Sequence, residues 1–371
     1  MKKLLVISDT YSPKRDGVVI FLQQILPLLT DTFEITLLVP DFGSNAHLKN
    51  ISIVSLPLSK HMKLSTYESA SFSFKNRRKI KELIKQNDII WSQDIALLGA
   101  LGIIYGKKYK KKVVTFIHQI IWDQMANILT TNHKKRKIIS SIAKKIAFYL
   151  YKKCNIIILP TEEIELHLKI KTIVVPLGIN TKIFAPTLNK NKAKIEALIS
   201  PQKIVIGYVG RISAEKDLRT LQAAFVELKK KYDIALLIVG GGDKKMEEEL
   251  KENGAIITGL VQNVVPYLQA MDIFVMPSLT ETTSLATMEA MSCGIPIIAT
   301  PVGKIKEFIQ KSFNGYLFPK GDITLLIERL EELILHPEKR TVLGLHARET
   351  MQGYDWIKTA EKIKKVLKES L

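Results

Sequence analysis

Two glutamates separated by seven residues, in an otherwise uncharged stretch, are the side chains best suited to chemistry. Glu281 follows an apolar run typical of a strand, and Glu289 lies in the helix that we expect to begin near Thr283. The first N–H groups of a helix have no partner within it, and the helix dipole attracts an anion there. The N–H groups predicted to bind a phosphate belong to Thr283, Ser284 and Leu285. Glu281 would then hold a sugar hydroxyl and Glu289 those of a ribose; alternatively, Glu281 caps the helix and Glu289 faces water.

A second group of charged residues stands where another predicted strand leads into a helix. The strand ends in Gly210-Arg211, and Lys216 follows five residues later at the entrance to the helix. Two cations at such a junction suit a diphosphate, because a guanidinium binds phosphate oxygens bidentately while an ammonium acts as a point charge. Arg211 and Lys216 are therefore candidate diphosphate ligands, unless they are ordinary surface residues of a basic protein.

The elements that must position these residues form two series along the chain. Short apolar runs alternate with helical patterns from Leu4 to Val175, and the alternation restarts at Ile204. Near-continuous apolar strands separated by helices are typical of parallel sheets covered on both faces. We therefore predict an α/β fold of two doubly wound, Rossmann-like domains, with ligand-binding loops after the carboxyl ends of the strands. The boundary is expected in 176–201, where proline and glycine punctuate a polar stretch.

The two charged motifs together resemble a known family of enzymes. The Gly-Arg…Lys loop and the Glu-x7-Glu segment, in this order and about seventy residues apart, are similar to those of the retaining glycosyltransferases of family 4. Further segments that resemble the family are 176–184, 239–242, 301–307 and 314–318. The resemblance covers nearly the whole chain and is closest from about 204 to 320. It implies the GT-B architecture of two Rossmann-like domains that face a central cleft. The domains implied are 1–178 for the acceptor, 179–350 for the sugar nucleotide, and a C-terminal helix in 351–371 that packs back on the first domain.

The resemblance also implies roles for individual residues. Arg211 and Lys216 would hold the diphosphate of the donor. Glu281 would bind the hydroxyls of the donor sugar, and Glu289 the ribose. The nucleobase would lie near Val261, mostly against backbone. The remaining contacts with the diphosphate would come from the backbone of Thr283, Ser284 and Leu285.

Two residues of the first domain join this expected site. Gly17, in Asp16-Gly17-Val18, stands where the family has a glycine loop that lets the backbone approach donor phosphate and acceptor. His118 ends the predicted strand 113–117 and matches the family histidine near the donor sugar and the reacting centre. A lone histidine can instead be a hydrogen-bonded structural residue, but its place at the carboxyl end of a strand favours function. We therefore expect His118 and Glu281 to be catalytic, and Gly17 to bind the donor.

The reaction implied is transfer of a sugar from a UDP- or GDP-sugar to an acceptor hydroxyl. The hydroxyl attacks the anomeric carbon on the face that the diphosphate leaves, and a departing phosphate oxygen takes its proton. The protein's cations and the helix N-terminus stabilise the developing negative charge. The chain contains no Asp-x-Asp motif, so we expect no metal and no cofactor besides the nucleotide-sugar. Glu281 and Glu289 are not expected to act as the two carboxylates of a glycoside hydrolase.

Composition narrows the class of protein. The 371 residues are 46% apolar and 25% charged, which is ordinary for a globular protein and excludes a disordered basic tail. Two distant cysteines, Cys154 and Cys293, form no disulfide framework and fit a reducing cytoplasm. The apolar run at the start, 4–7, stops at Ser8-Asp9 and is too short for a signal-peptide core, and no apolar run has the length of a membrane span. We expect a cytoplasmic protein, of unknown oligomeric state, that can sit on a membrane without crossing it.

The net charge of +19 indicates an anionic partner, and its distribution indicates which one. Residues 95–161 hold thirteen lysines or arginines and one acid, and so carry +12 of the total. Four apolar residues share one face of the helix predicted there: Ile138, Ile142, Ile146 and Tyr149. Basic amphipathic segments lie on anionic membranes. We therefore expect a peripheral membrane enzyme with a lipid or polyprenyl-linked acceptor.

Other interpretations stay open. The isoleucines can face the domain core and the lysines water, and 72–85 is a second basic segment with aromatic residues. A transferase for a small sugar or a protein, or a GT-B sugar-nucleotide epimerase, needs no membrane; the epimerase would turn over its sugar nucleotide without an acceptor. A nucleic-acid-binding protein would use the basic surface, but the chain has no recognisable module for it, and Glu281 and Glu289 stay unexplained. We expect no nucleic-acid partner.

Overall fold

The chain divides into two compact units. The computed structural model describes residues 1–14, 16–43, 47–64, 67–118, 122, 133–162 and 170–370. One unit consists of Met1–Leu177 together with Trp356–Leu371, and the other of Gly178–Asp355. Each unit is built around its own parallel sheet.

The first unit contains a parallel sheet and one antiparallel hairpin. Its strands are β1 (Lys2–Ile7), β2 (Phe33–Pro40), β3 (Ile51–Leu56), β4 (Leu58–Leu64), β5 (Tyr67–Ala70), β6 (Ile89–Ser92), β7 (Lys112–Phe116), β8 (Ile156–Leu159) and β9 (Thr172–Val174). In the described residues the sheet has seven strands in the order β3-β2-β1-β6-β7-β8-β9, and β4 pairs with β5. β6 and β8 are buried at every residue, which explains their uninterrupted apolar character up to Ser92.

Helices cover the sheet of the first unit. They are α1 (Gly17–Leu29), α2 (Phe74–Gln86), α3 (Leu97–Lys108), α4 (His133–Tyr151) and the C-terminal helix (Trp356–Glu369). The C-terminal helix packs on α1: the rings of Trp356 and Phe21 are 6.1 Å apart, and Lys364 Nζ lies 2.8 Å from Oδ2 of Asp31, just after the end of α1. The first unit is therefore completed by a helix that follows the whole second unit in the chain.

The second unit repeats the architecture. Its strands are β10 (Ile204–Val209), β11 (Ile234–Val239), β12 (Ala255–Ile257), β13 (Ile273–Met276), β14 (Ile297–Ala299) and β15 (Gly315–Leu317), in the sheet order β12-β11-β10-β13-β14-β15. Its helices are α5 (Lys190–Glu196), α6 (Leu218–Lys229), α7 (Lys244–Glu252), α8 (Val265–Ala270), α9 (Leu285–Ser292), α10 (Ile305–Phe308), α11 (Ile323–Leu335) and α12 (Pro337–Gln352). A short 3-10 helix, Ala214–Lys216, follows β10.

Each sheet has one point at which the order of strands reverses. β1 lies between β2 and β6, and β10 lies between β11 and β13. At these points Ile7 pairs with Ser92, and Ile206 with Ile273. Ligands of doubly wound sheets bind beyond the carboxyl ends of the strands at such a reversal. The loops that follow β1, β6, β10 and β13 are therefore the places to look for a site.

The predicted pair of doubly wound α/β domains is confirmed, and the structure refines where the chain passes between them. The sequence predicts boundaries after residues 178 and 350, whereas the chain leaves the first unit after Leu177 and returns at Trp356. Residues 351–355 stay with the second unit, since Ile179 N donates to Tyr354 O at 3.1 Å. The stretch expected as a boundary also contains a helix, α5.

The outer face of α4 is apolar and exposed. Ile138, Ile142, Ile146 and Tyr149 are 54% to 60% exposed, whereas Ala147, Leu150 and Tyr151 are buried against the unit. The alternative in which the isoleucines of α4 face the core is therefore wrong. In the part of the chain that the structure describes, no helix has both the length and the apolar character needed to cross a membrane.

Candidate active site

Two loops of the second unit meet at the carboxyl ends of β10 and β13. These strands pair in parallel, so the loops that follow them lie on the same edge of the sheet. The N–H of Leu279, after β13, donates to the carbonyl oxygen of Glu215, after β10, at 2.8 Å. Each charged motif follows a strand at the same edge of the sheet, and the two motifs therefore lie next to each other.

Lys216 and Glu281 form an ion pair between these loops. Lys216 Nζ lies 2.6 Å from Glu281 Oε1, and the two side chains are only 16% and 12% exposed. The hydroxyl of Ser278 donates to the same carboxylate oxygen at 2.9 Å. Charges that are partly withdrawn from water are screened less than those on the surface. A single contact thus brings together a cation that suits a phosphate and a carboxylate that suits a hydroxyl.

Arg211 lies in the same loop as Lys216 but has a different partner. Its Nη2 is 3.2 Å from Glu215 Oε1, and about half of its side chain is exposed. Ser213 Oγ donates to the same oxygen of Glu215 at 2.7 Å. The two predicted diphosphate ligands are therefore near each other in the chain, but each is held by its own carboxylate.

Helix α9 begins without a side-chain cap. Its N-cap residue, Ser284, has left-handed backbone angles (φ 61°, ψ 78°), and the Ser284 hydroxyl lies 2.8 Å from Thr287 Oγ1 instead of bonding the helix backbone. Among the described residues, no acceptor is found for the N–H groups of Thr283, Ser284 and Leu285, and the buried hydroxyl of Thr283 has no partner either. The helix starts at Leu285 rather than near Thr283. Glu281 does not cap it, so that alternative is wrong, and the first N–H groups are open to an anion.

A glycine supports the loop that carries Glu281. Gly303 (φ 53°) lies against the carbonyl oxygens of Glu281 and Thr282, and a Cβ atom at this position would collide with both. The next residue, Lys304, donates its N–H to Thr282 O at 2.8 Å. Because glycine alone combines this backbone angle with such a close approach, Gly303 sets the position of the glutamate.

Glu289 lies in the second turn of α9 and is buried. The residue is 8% exposed, and burial raises the pKa of its carboxyl group from 4.5 to about 8. The alternative in which Glu289 faces water is therefore wrong. A buried carboxyl group that is protonated near neutral pH can donate as well as accept a hydrogen bond, which suits a ligand with hydroxyl groups.

Val261 follows β12 on the same edge of the sheet. The loops after β11 and β12 are joined by an antiparallel bridge between Gly240 and Gly259. A cavity of about 260 Å³ lies beside Val261. The other residues that line it are Glu196, Ala197, Gln262, Asn263, Pro266 and Tyr267. The position expected to meet the nucleobase thus borders an open space.

His118 of the first unit is held by a glutamine and two aromatic rings. Its Nε2 lies 3.1 Å from Gln93 Oε1, and its ring stacks on Phe116 with 4.3 Å between centroids. Phe21 of α1 meets the ring edge-on at 4.9 Å. Burial lowers the pKa of His118 from 6.5 to about 3, so the imidazole is neutral at physiological pH.

Gly17 is the first residue of α1 and not part of a loop before it. Asp16 caps the helix by accepting hydrogen bonds from the N–H groups of Val18 and Val19 at 2.9 and 3.0 Å. Thr10 in turn donates its hydroxyl to Asp16 at 2.6 Å. Two of the first N–H groups of α1 are thus already used by the chain, which differs from the uncapped start of α9.

Several residues shape the site although the sequence assigns them no role. Ser278, Glu215, Gly303 and Gln93 each hold or support a predicted site residue. Ser278 and Gln93 lie within two residues of the end of a buried strand. A polar residue at the carboxyl end of such a strand is a signal that could have identified both.

The chain is similar in sequence to glycosyltransferases. Residues 203–336 match the family model described as glycosyl transferases group 1. A sulfoquinovosyl transferase of Arabidopsis thaliana is 32% identical over 50% of this chain, which spans only 38% of that enzyme. The alpha-monoglucosyldiacylglycerol synthase of Acholeplasma laidlawii is 26% identical over 94% of this chain and 92% of its own. A GDP-mannose-dependent phosphatidylinositol monomannoside mannosyltransferase of Mycolicibacterium smegmatis is 23% identical over 95% of both chains.

The fold is shared with a solved GT-B structure over nearly its full length. HepE of Anabaena, solved in complex with UDP and glucose, superposes with a TM-score of 0.79 at 16% identity over 99% of this chain and 100% of that chain. At this identity the likeness concerns the fold alone, and the fold agrees with the sequence matches.

Proposed function

We propose that this chain, a group 1 glycosyltransferase of the GT-B fold that uses a nucleotide-sugar donor, is a retaining enzyme of family 4 that glycosylates a lipid or polyprenyl-linked acceptor at an anionic membrane surface. The donor is a UDP- or GDP-sugar. The observation that carries the proposal is the Lys216–Glu281 ion pair beside the uncapped start of α9. A diphosphate that binds Lys216 competes with Glu281, and so frees the carboxylate for the hydroxyls of the sugar.

Each part of the donor has a matching group at this edge of the second unit. Lys216, Arg211 and the first N–H groups of α9 hold the diphosphate. Glu281 binds the sugar and Glu289 the ribose, while the base lies against the backbone near Val261. Gly17 and His118 of the first unit take the roles that the family resemblance implies, with Gly17 near the donor phosphate and His118 at the donor sugar.

The reaction exchanges one bond of the anomeric carbon for another. The bond to the leaving phosphate oxygen breaks, and a bond to the acceptor oxygen forms on the same face. The proton of the acceptor hydroxyl passes to the departing phosphate oxygen. Lys216, Arg211 and the α9 dipole stabilise the negative charge on the nucleoside diphosphate, and because they are in place before the reaction they need not reorganise.

The proposed reaction uses no metal ion and no further cofactor. Two protein cations supply the positive charge that a divalent metal supplies in other transferases. We expect full activity in the presence of EDTA. A loss of activity that Mg²⁺ or Mn²⁺ restores would contradict this part of the proposal.

The acceptor side of the proposal is supported by two relatives and by α4. Two of the relatives that align over nearly the whole chain have diacylglycerol or phosphatidylinositol in their names. The exposed apolar face of α4 lies among exposed lysines, including Lys135, Lys137 and Lys145. Apolar side chains enter the boundary of the headgroups, and each lysine near an anionic leaflet adds about 1 kcal/mol. We therefore assign the enzyme to the cytoplasmic face of a membrane, where the anionic lipids are.

One assay tests donor and acceptor together. The chain is incubated with radiolabelled UDP- or GDP-sugars and, in parallel, with soluble sugars or proteins or with vesicles of phosphatidylglycerol that contain or omit diacylglycerol or a polyprenyl phosphate. We expect label in the lipid extract only when an acceptor lipid is present. Transfer to soluble sugars or proteins alone, or conversion of the sugar nucleotide with no acceptor, would contradict the lipid acceptor and identify a soluble transferase or an epimerase. Failure to bind the vesicles at low salt would contradict the membrane surface.

A further inference from the structure

Gln93, which no sequence motif identifies, lies directly against His118. It follows β6, and β6 pairs with β7 so that Ser92 lies beside Thr115. Continuing this register puts Gln93 beside Phe116, on the face that carries His118 two residues later. Gln93 is fully buried, and its Oε1 lies 3.1 Å from His118 Nε2. The amide is therefore part of the wall that holds the imidazole.

The imidazole of His118 is held in one plane by its neighbours. In the described part of the chain it makes ring contacts with Phe21 from α1 and Phe116 from β7, and a hydrogen bond with Gln93 after β6. None of these groups titrates, and burial keeps the ring neutral. A neutral imidazole has one N–H donor and one nitrogen that accepts. The hydrogen bond to Gln93 decides which ring nitrogen carries the proton: the amide oxygen can only accept, so Nε2 must be the donor and Nδ1 the acceptor.

We propose that Gln93 is a positioning residue for the transfer reaction: it holds His118 in the tautomer with the proton on Nε2, and so presents Nδ1 as the acceptor for a hydroxyl of the donor sugar. This rests on the proposed role of His118 at the donor. The substrate hydroxyl donates to Nδ1, and no proton has to leave the ring. Gln93 itself does not touch the substrate.

The other end of the amide supports a functional reason for the glutamine. Gln93 Nε2 is buried and has no hydrogen-bond partner among the described residues. A buried donor without a partner lowers the stability of the folded protein. A leucine or methionine of similar size would avoid that cost. Polar residues that lower stability at positions where an apolar residue would not are typical of functional sites.

A double-mutant cycle tests the coupling. We expect Gln93→Leu to lower kcat/KM for the donor about tenfold, and to cause no further loss in a His118→Ala background, because the amide acts only through the ring. Independent, multiplying losses would overturn the inference. Thr115→Val, which removes a buried hydroxyl without a partner from the neighbouring strand, is the matched control and should leave kcat/KM unchanged. Wild-type activity of His118→Ala would refute the proposed role of His118, whereas an impaired His118→Ala with a fully active Gln93→Leu refutes only the role of Gln93.

The tautomer can be read directly by NMR. The ring signals of His118 in protein labelled with ¹⁵N-histidine are assigned by their loss in His118→Ala. We expect the proton on Nε2 in the wild type and a mixture of tautomers in Gln93→Leu. Gln93→Glu keeps an accepting oxygen and so keeps the proton on Nε2, but its charge favours a protonated ring, so kcat/KM should fall as the pH is lowered. A proton on Nδ1 in the wild type, a spectrum unchanged by Gln93→Leu, or a Gln93→Glu profile equal to the wild type would each overturn the inference.

Discussion

Glu289 gives the folded protein a dependence on pH that can be measured without a substrate. The buried carboxyl group keeps its proton up to a pH of about 8, whereas the unfolded chain releases it near 4.5. Between these values the folded state binds more protons than the unfolded state, so the free energy of unfolding falls as the pH rises. At about 1.4 kcal/mol for each pH unit across this gap, the loss approaches about 5 kcal/mol at alkaline pH. This contribution of the protonated carboxyl group to the free energy of unfolding is fully present below about pH 4.5 and lost above about pH 8.

Glu289→Gln isolates this effect, because the amide is neutral at every pH. Denaturant unfolding of wild type and variant from about pH 5 to about pH 9 should show a difference that grows in favour of the variant. Cys293, whose pKa is raised to about 12 by burial and then by Glu289, stays a thiol in the folded protein over this range, and its ionisation in the unfolded chain is common to wild type and variant. Glu248→Gln, at an exposed position of α7, is the control and should follow the wild type. A difference between wild type and Glu289→Gln that does not vary with pH would show that the carboxyl group is ionised in the folded protein, and the argument from burial would fail.

Three further features can be tested by substitution. Lys216→Ala and Glu281→Ala should each lower kcat/KM about a hundredfold or more with an unchanged circular dichroism spectrum; wild-type turnover in either would refute the assignment. Gly303→Ala should destabilise the chain by about 1–3 kcal/mol in denaturant unfolding and weaken nucleotide-sugar binding in calorimetry, and unaltered binding would remove Gly303 from the site. Ile146→Asp should weaken co-sedimentation with anionic vesicles about tenfold, whereas Leu345→Asp, at an exposed apolar position of α12, should not; equal losses would exclude α4 as the contact.

The architecture could be predicted because strands that are buried on both faces appear in the sequence as uninterrupted apolar runs. β11 is apolar and buried at all six residues, and such runs separated by helices have few other solutions. The elements that escaped prediction are short or lie outside this alternation. β15 has three residues, and α5 lies in a polar stretch with prolines that was expected to be a boundary. Whether such elements form depends on tertiary packing, which cannot be inferred from the local sequence.

The candidate site could be predicted in part, for a similar reason. Lys216 and Glu281 follow strands that are neighbours in the sheet, so their shared edge follows from the topology. Their direct ion pair does not, because it depends on the path of two loops and on the support of Gly303. Nor does the capping of α1 by Asp16, which changes what Gly17 can offer. The roles of these residues toward a donor stay predictions until the substitutions are made.

The return of the chain to the first unit sets the order in which the protein can mature during synthesis. Trp356 packs on Phe21, and Phe21 meets the ring of His118, so the phenylalanine beside this histidine is itself covered by a residue translated after the whole of 178–355. While the second unit emerges from the ribosome, α1 lacks the helix that covers it, and its apolar surface is open to chaperones or to aggregation. A nascent chain that stops before residue 356 thus contains both parallel sheets, but Phe21, which packs on His118, still lacks the ring of Trp356. The packing around Phe21 and His118 is therefore completed only after the whole of the second unit has been translated.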